Sequence, residues 1–259
     1  MDEKYRMKKR CKIFHSQQKL RFHFQQIIRT LQSNYLRMKE YVIIVAAGSG
    51  SRMKAALPKQ FLELNGKPIL QHTIERFHHY NPALGIIVVL NQEYILFWKD
   101  LIRTMQFDIP HVVVEGGSER FYSVKKAIDF IGEENGIVGI HDAVRPLVSL
   151  RTIENGYDIA RQKGNAVPVT YINDSLRQMK DGESAIVDRN QYRIVQTPQC
   201  FELSLLRKAF EQPYHISFTD DASVVESFGE RIHLVEGNRE NIKITTSEDL
   251  RMAEALLSI

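Results

Sequence analysis

Residues Tyr41 to Ala47 (YVIIVAA) form a near-continuous apolar run, the pattern of a strand buried on both faces. Such a strand belongs inside a sheet that is covered above and below. The run breaks into a loop carrying Gly48 and Gly50, followed by Arg52 and, after Pro58, Lys59. Glycine lets a backbone approach a bulky anion and turn its amides toward it, and the two cations add full charge, so a triphosphate is the guest that fits. Two named phosphate motifs are absent. Met53 stands where the dinucleotide fingerprint needs a third glycine, and the Gly-Lys-Ser/Thr of a P-loop does not occur here. On these residues alone, an ordinary strand-to-helix turn with solvated charges is the plainer alternative.

Strand and helix patterns alternate along the rest of the chain. Strands are expected at Tyr41–Val45, Ile86–Leu90, His111–Glu115, Ile137–His141, Ala166–Val169, Ile194–Gln196, Ile232–Val235 and Ile242–Ile244. Helices are expected at Ile69–His78, Tyr94–Met105, Tyr122–Ile131, Thr152–Lys163, Ser204–Gln212, Ala222–Phe228 and Glu248–Leu257, the last with Thr246 as N-cap. The alternation predicts an α/β domain: a mostly parallel, twisted sheet with helices on both faces. Active sites of such sheets lie beyond the carboxyl ends of the strands. The glycine loop, Gly116-Gly117 and Asp142 all follow predicted strands, so they should converge on one edge. Residues 170 to 192 interrupt the alternation. There, Asp181-Gly182 between two short strand patterns is a strong hairpin signal, and a hairpin projecting from the domain is either a decoration or an arm that grips a second subunit.

A chain of 259 residues is long enough for one large α/β domain or two small ones. Cys11 and Cys200 are too few for a disulfide framework and too isolated for a zinc site, which fits a reducing cytoplasm. The nine histidines show no ligand spacing. No apolar run approaches a membrane span. Charge is unevenly spread. Residues 1–40 hold 11 Lys and Arg against 3 Asp and Glu, a net of +8, while the whole chain is +4, so the remainder carries −4. The basic balance therefore belongs to the leader, and an acidic body argues against a nucleic-acid partner. Met38 stands three residues before the first strand. The expectation is a non-conforming or disordered extension, with Met38 as the working start of the body at 41–259; plastid targeting is the competing reading.

The loop pattern AAGxGxRM followed by PKQ resembles the nucleotidyltransferases that make CDP- and UDP-linked metabolites. More narrowly, the chain resembles the 2-C-methyl-D-erythritol 4-phosphate cytidylyltransferase family. The likeness continues through EGGSERFYSV (Glu115–Val124), HDAVRP (His141–Pro146), VDRNQY (Val187–Tyr192), QTPQCF (Gln196–Phe201), TDDASVVE (Thr219–Glu226) and NIKIT (Asn241–Thr245), and spans about Met38 to Ile259. Several segments in one order are more specific than any single loop.

The resemblance implies a Rossmann-like nucleotidyltransferase acting on CTP and a polyol phosphate. A phosphate oxygen would attack the α-phosphorus of CTP and pyrophosphate would leave, helped by positioning and fixed positive charge rather than by a protein nucleophile. Arg52 and Lys59 would stabilise the transition state. Arg189 and Lys243 would position methylerythritol phosphate, Arg189 from a neighbouring subunit gripped by the arm of a homodimer. Ala46, Ala47, Gly48, Gly50, Gly116, Gly117 and Ser123 would hold the nucleotide. Asp142 would bind magnesium or substrate, with a structural ion pair to Arg145 as the alternative. Arg145, Ser175 and Thr197 complete the substrate contacts; Ser175 stands where the family pattern has threonine, keeping the hydroxyl and losing the methyl. The nearest competing activity is cytidylyl transfer to ribitol 5-phosphate. A non-catalytic nucleotide-binding protein is disfavoured because the full charged set is present.

Overall fold

The apolar run at Tyr41 becomes an interior strand of an eight-stranded sheet. The structure, a computed structural model, describes residues 38–48, 57–132 and 135–258. Gly50, Arg52 and the leader before Met38 lie outside the described residues. In chain order the elements are β1 (Lys39–Val45), β2 (Glu63–Leu64), β3 (Lys67–Pro68), α1 (Ile69–Tyr80), β4 (Gly85–Leu90) and α2 (Gln92–Thr104). Next come β5 (Val112–Glu115), α3 (Arg120–Ile131), β6 (Gly136–Asp142), α4 (Leu150–Lys163) and β7 (Asn165–Tyr171). The remainder are β8 (Leu176–Lys180), β9 (Glu183–Val187), β10 (Arg193–Val195), β11 (Gln199–Glu202), α5 (Leu203–Ala209), α6 (Asp221–Ser227), β12 (Leu234–Glu236) and α7 (Ser247–Leu257).

The sheet runs β10-β7-β11-β6-β1-β4-β5, with β12 parallel beside β7. Strands β6, β1, β4 and β5 are mutually parallel, while β11 and β10 run against their neighbours. Side chains alternate between the two faces. Ile43, Ile87, Val138 and Ile140 meet α3, α5 and α6 through Val124, Leu206 and Val225. On the other face Tyr157 of α4 lies over Gly139, and Phe77 of α1 meets His141 edge-on. Helices thus cover both faces, and Val42, Ile43 and Ile44 have no exposed surface. Each such side chain contributes about 1.5–3 kcal/mol by leaving water.

Caps fix the helix ends. Ser149 accepts from Thr152 N–H, and Thr246 forms a capping box with Asp249, as expected for an N-cap there. The hairpin β8–β9 turns at Asp181 (φ 49°) and Gly182 (φ 83°), the two positive angles that a two-residue hairpin loop needs.

Three expectations need correction. Residues Ile242–Ile244 form no strand. Asn241 and Ile242 turn back on Asn238 and Glu240, Ile244 N–H reaches Val144 carbonyl, and the segment is apolar because Ile244 plugs a core. Strand β11 went unread because Gln199 and Glu202 break the apolar pattern after Pro198. Lastly, Lys39 and Glu40, assigned to the leader, belong to β1: they pair with Gly136 and Ile137, and Glu40 takes an ion pair from Arg161 and a hydrogen bond from Asn81.

Candidate active site

Strands β1, β4, β5 and β6 end at a common edge. Val45 lies opposite both Val89 and Asp142, and Leu90 opposite Glu115. The chain emerging from each strand end, together with Lys59-Gln60 and Lys243, surrounds a cleft of about 550 Å³. The expected convergence is therefore present: Ala46, Ala47, Gly48, Lys59, Gly117, Ser123, Asp142 and Lys243 all line it.

Asp142, the last residue of β6, sits at the charged centre. Its Oδ2 receives Lys243 Nζ at 3.0 Å and Arg145 Nε at 3.2 Å. Burial pushes its carboxyl upward, but the charges of Arg120, Lys243 and Arg145 win and hold it well below the usual carboxylate range. The ion pair to Arg145, expected as a structural alternative, is thus real. Arg145 also donates to Asn241 carbonyl at 2.7 Å and lies behind the cleft lining, tying the Lys243 segment to β6.

Under Asp142 runs a chain of neutral hydrogen bonds. Asp142 N–H donates to Thr197 Oγ1 at 3.1 Å, and Thr197 faces His141 Nδ1 at 3.0 Å. His141 Nε2 lies 3.0 Å from Arg145 carbonyl and must donate to it, so Nδ1 accepts the threonine proton. Burial pushes the His141 pKa down to about 4, so this ring is neutral and its tautomer fixed. Thr197 is therefore a support for the Asp142 backbone, and it is buried.

The glycine side of the cleft is closely built. A Cβ on Gly117 would stand 2.4 Å from Tyr122 Cβ, and one on Gly116 would stand 2.7 Å from Ala47 Cβ. Gly117 N–H donates to Ser123 Oγ at 3.0 Å, Gly116 N–H to Leu90 carbonyl, and Ala46 N–H to Val89 carbonyl. Ala46 and Gly116 thus spend their amides inside the protein, and Gly116 lies behind the lining. Gln60 was not singled out from sequence. It is buried, and its Nε2 donates to Ala46 carbonyl at 2.6 Å, fastening the Lys59 turn to the end of β1.

Arg189 and Ser175 are not at this cleft. Arg189 opens an exposed 3-10 turn (Arg189–Gln191) and donates to Asn173 carbonyl; Ser175 is exposed just before β8. Arg120 is a further omission of sequence reading. It lines the cleft and pairs with buried Asp221, a partner 101 positions away that no local pattern reveals.

Residues 41–259 match the family model described as 2-C-methyl-D-erythritol 4-phosphate cytidylyltransferase. The chain is 49% identical over 220 residues to the protein of that name from Bacteroides thetaiotaomicron, covering 85% of this chain and all of that one. It is 36% identical to the one from Bacillus licheniformis, covering 85% of this chain and 96% of that one. Among solved structures it is similar to the Francisella tularensis 2-C-methyl-D-erythritol 4-phosphate cytidylyltransferase (TM-score 0.70, 34% identity, 84% of this chain and 99% of that one). It is also similar to the 4-diphosphocytidyl-2C-methyl-D-erythritol synthase of Anaerococcus prevotii (TM-score 0.74, 26% identity, 86% and 97%). On its sequence match over the whole body and on its fold, the chain belongs to the 2-C-methyl-D-erythritol 4-phosphate cytidylyltransferase family.

Proposed function

We propose that this chain transfers a cytidylyl group from CTP to 2-C-methyl-D-erythritol 4-phosphate, giving 4-diphosphocytidyl-2-C-methyl-D-erythritol and pyrophosphate. The observation that carries the reading is the ionised Asp142, flanked by Lys243 in a cleft that also holds Lys59 and the chain leaving β1. Two anions must meet there, and fixed cations lower the repulsion between them. Lys59, with Arg52 seven positions earlier in the same loop sequence, stabilises charge at the α-phosphate. Ala47, Gly48 and the Gly116–Ser123 turn hold the nucleoside. The Ser123 oxygen already accepts from Gly117, which leaves its proton for the pyrimidine edge. Lys243 faces the substrate side, and Thr197 and Arg145 act through Asp142.

A magnesium ion fits Asp142. Both ion pairs fall on Oδ2, so Oδ1 is the oxygen that can take a hard cation, and one carboxylate plus phosphate oxygens is the usual magnesium set. When bound, the ion spreads the negative charge of the triphosphate.

Arg189 and Ser175 serve the site of a second copy in a homodimer. Supporting this, the arm exposes Met179 (68%) and Ile186 (81%), apolar surface that a partner would cover. Among the described residues no helix is long and apolar enough to cross a membrane, and we place the enzyme in the cytoplasm. The decisive assay is pyrophosphate release from CTP and Mg²⁺ with methylerythritol phosphate against ribitol 5-phosphate. Turnover with the first is expected; equal or better turnover of the second overturns the substrate assignment.

A further inference from the structure

We propose that Arg120 is a nucleotide-contacting residue of the cleft and that Asp221, buried behind it, is the positioning residue that aims it. The inference rests on the cytidylyl-transfer reading above. Both residues lie in segments of the family likeness, Glu115–Val124 and Thr219–Glu226, whose charges that reading leaves without a task.

Arg120 is the first residue of α3 and forms part of the cleft wall beside Glu119 and Ser123. Its Nη1 and Nη2 meet Asp221 Oδ1 and Oδ2, each at 2.6 Å. One charge-assisted hydrogen bond, from Nη1 to Oδ1, and a second close ionic contact, Nη2 to Oδ2, hold the guanidinium against the carboxylate. The exposures differ: 29% for the arginine side chain and 1% for the aspartate. The acid is therefore the inner anchor and the guanidinium the part that reaches the cleft. A guanidinium has five N–H donors, more than one carboxylate can take, and the exposed part of this one lies in the cleft wall.

The anchor is itself held. Asp221 is the first residue of α6, behind the N-cap Asp220. Gln199 donates to Asp220 at 2.7 Å and accepts from Ala222 N–H at 2.8 Å. Gln199 belongs to β11, where it pairs with Ile140 of β6, the strand that ends at Asp142. Anchor and catalytic edge thus share one rigid frame.

Stability does not explain the arrangement. A cation in the first turn of a helix stands at the end of the dipole that favours anions. A buried ion pair is commonly no better for stability than apolar side chains of similar volume. What the pair supplies is a guanidinium of fixed orientation facing a cleft that already carries Lys59 and Lys243. Its charge also reaches Asp142, on which it is the largest of the downward influences. The ligand of matching chemistry is the polyanionic triphosphate of CTP, since a planar fork binds phosphate oxygens in pairs.

The test measures CTP binding by calorimetry with Mg²⁺, and steady-state rates with CTP and methylerythritol phosphate varied in turn. Arg120→Gln is expected to raise the CTP Kd and KM about ten- to a hundredfold, the loss of one charge-assisted contact, with the KM for the polyol phosphate within about twofold. Asp221→Asn should move the same parameters in the same direction by less. Arg120→Met/Asp221→Leu removes both charges and leaves none stranded; it should fold and match Arg120→Gln rather than exceed it. A folded double variant with wild-type CTP affinity overturns the proposal. So does a loss that falls on the polyol phosphate, an additive double variant, or a double variant that does not fold, which would make the pair structural. Wild-type protein that binds no CTP would overturn the parent reading instead.

Discussion

Lys243 and Arg189 are assigned to the same substrate, yet their surroundings are opposite. Lys243 stands 3.0 Å from a carboxylate that its own chain buries, braced by Arg145 and by a hydrogen-bonded chain through Thr197 and His141. Arg189 stands in the open at the foot of an exposed hairpin and touches only Asn173 carbonyl among the bonds described for its side chain. Around Lys243 the sheet edge has done the organising before any ligand arrives. Around Arg189 no such bracing is seen among the described residues, and in the proposed homodimer the exposed apolar surface of Met179 and Ile186 is where a partner would sit. The cleft is preorganised within one chain, whereas the arm, on the homodimer proposed above, is completed by a second copy.

The strongest blow to this contrast falls on the cleft. Lys59→Ala is expected to cut kcat by roughly a hundred- to a thousandfold, about 2.7–4 kcal/mol, as for loss of one preorganised donor. Near-normal turnover removes Lys59 from the transition state. A second test concerns the bracing under Asp142. Buried His141 binds its proton at about pH 4 when folded and near 6.5 when unfolded. Between those values the unfolded chain holds more protons, so stability falls as pH drops from 6.5 to 4, by up to about 3 kcal/mol. His111, also depressed by burial, adds in the same direction. Urea titrations across that range should show the slope, reduced in His141→Asn; an unchanged slope there denies the ring its neutral, buried role.

The arm gives smaller numbers. If Arg189 serves the neighbour's site, the inactive dimers Arg189→Ala and Lys59→Ala regain activity when their subunits exchange. Half the dimers are then mixed, each with one intact site, so recovery approaches about a quarter of wild type. No recovery with heterodimers present puts Arg189 in its own subunit's site. The smallest effect is a deliberate null. Ile186→Ser should leave the stability of the body within about 0.5 kcal/mol, as an exposed substitution does, while sedimentation shows a weakened dimer. A dimer unchanged by it moves the interface off this hairpin.

What could be read from sequence follows the range of the interactions. Strands β1, β4 and β6 announced themselves because both faces of each are buried, and the hairpin because Asp181 and Gly182 must take positive φ. The cleft was legible where its parts are strand ends. Strand β11 was missed because two of its four residues are polar, Gln199 serving the cap of α6 instead of the core. Ile242–Ile244 was misread because a buried plug and a buried strand look alike over three residues. Gln60, Arg120 and Asp221 were invisible as a set: each acts through a partner supplied by the fold, 14 positions away for Gln60 and 101 for Arg120.

The ring of Tyr157 over Gly139 bears on how this sheet can change over time. Its hydroxyl donates to Tyr41 carbonyl at 2.7 Å and lies 2.6 Å from where a Cβ on Gly139 would stand, with the ring carbon Cζ at 3.1 Å. A methyl at position 139 has no room until the hydroxyl is gone, and the hydroxyl cannot go without taking a donor from β1. The two positions therefore form one heritable unit. Gly139→Ala should be damaging in the present background and milder after Tyr157→Phe, so the order in which mutations arrive decides which ones survive, and a lineage that has crossed to alanine finds the road back to tyrosine closed.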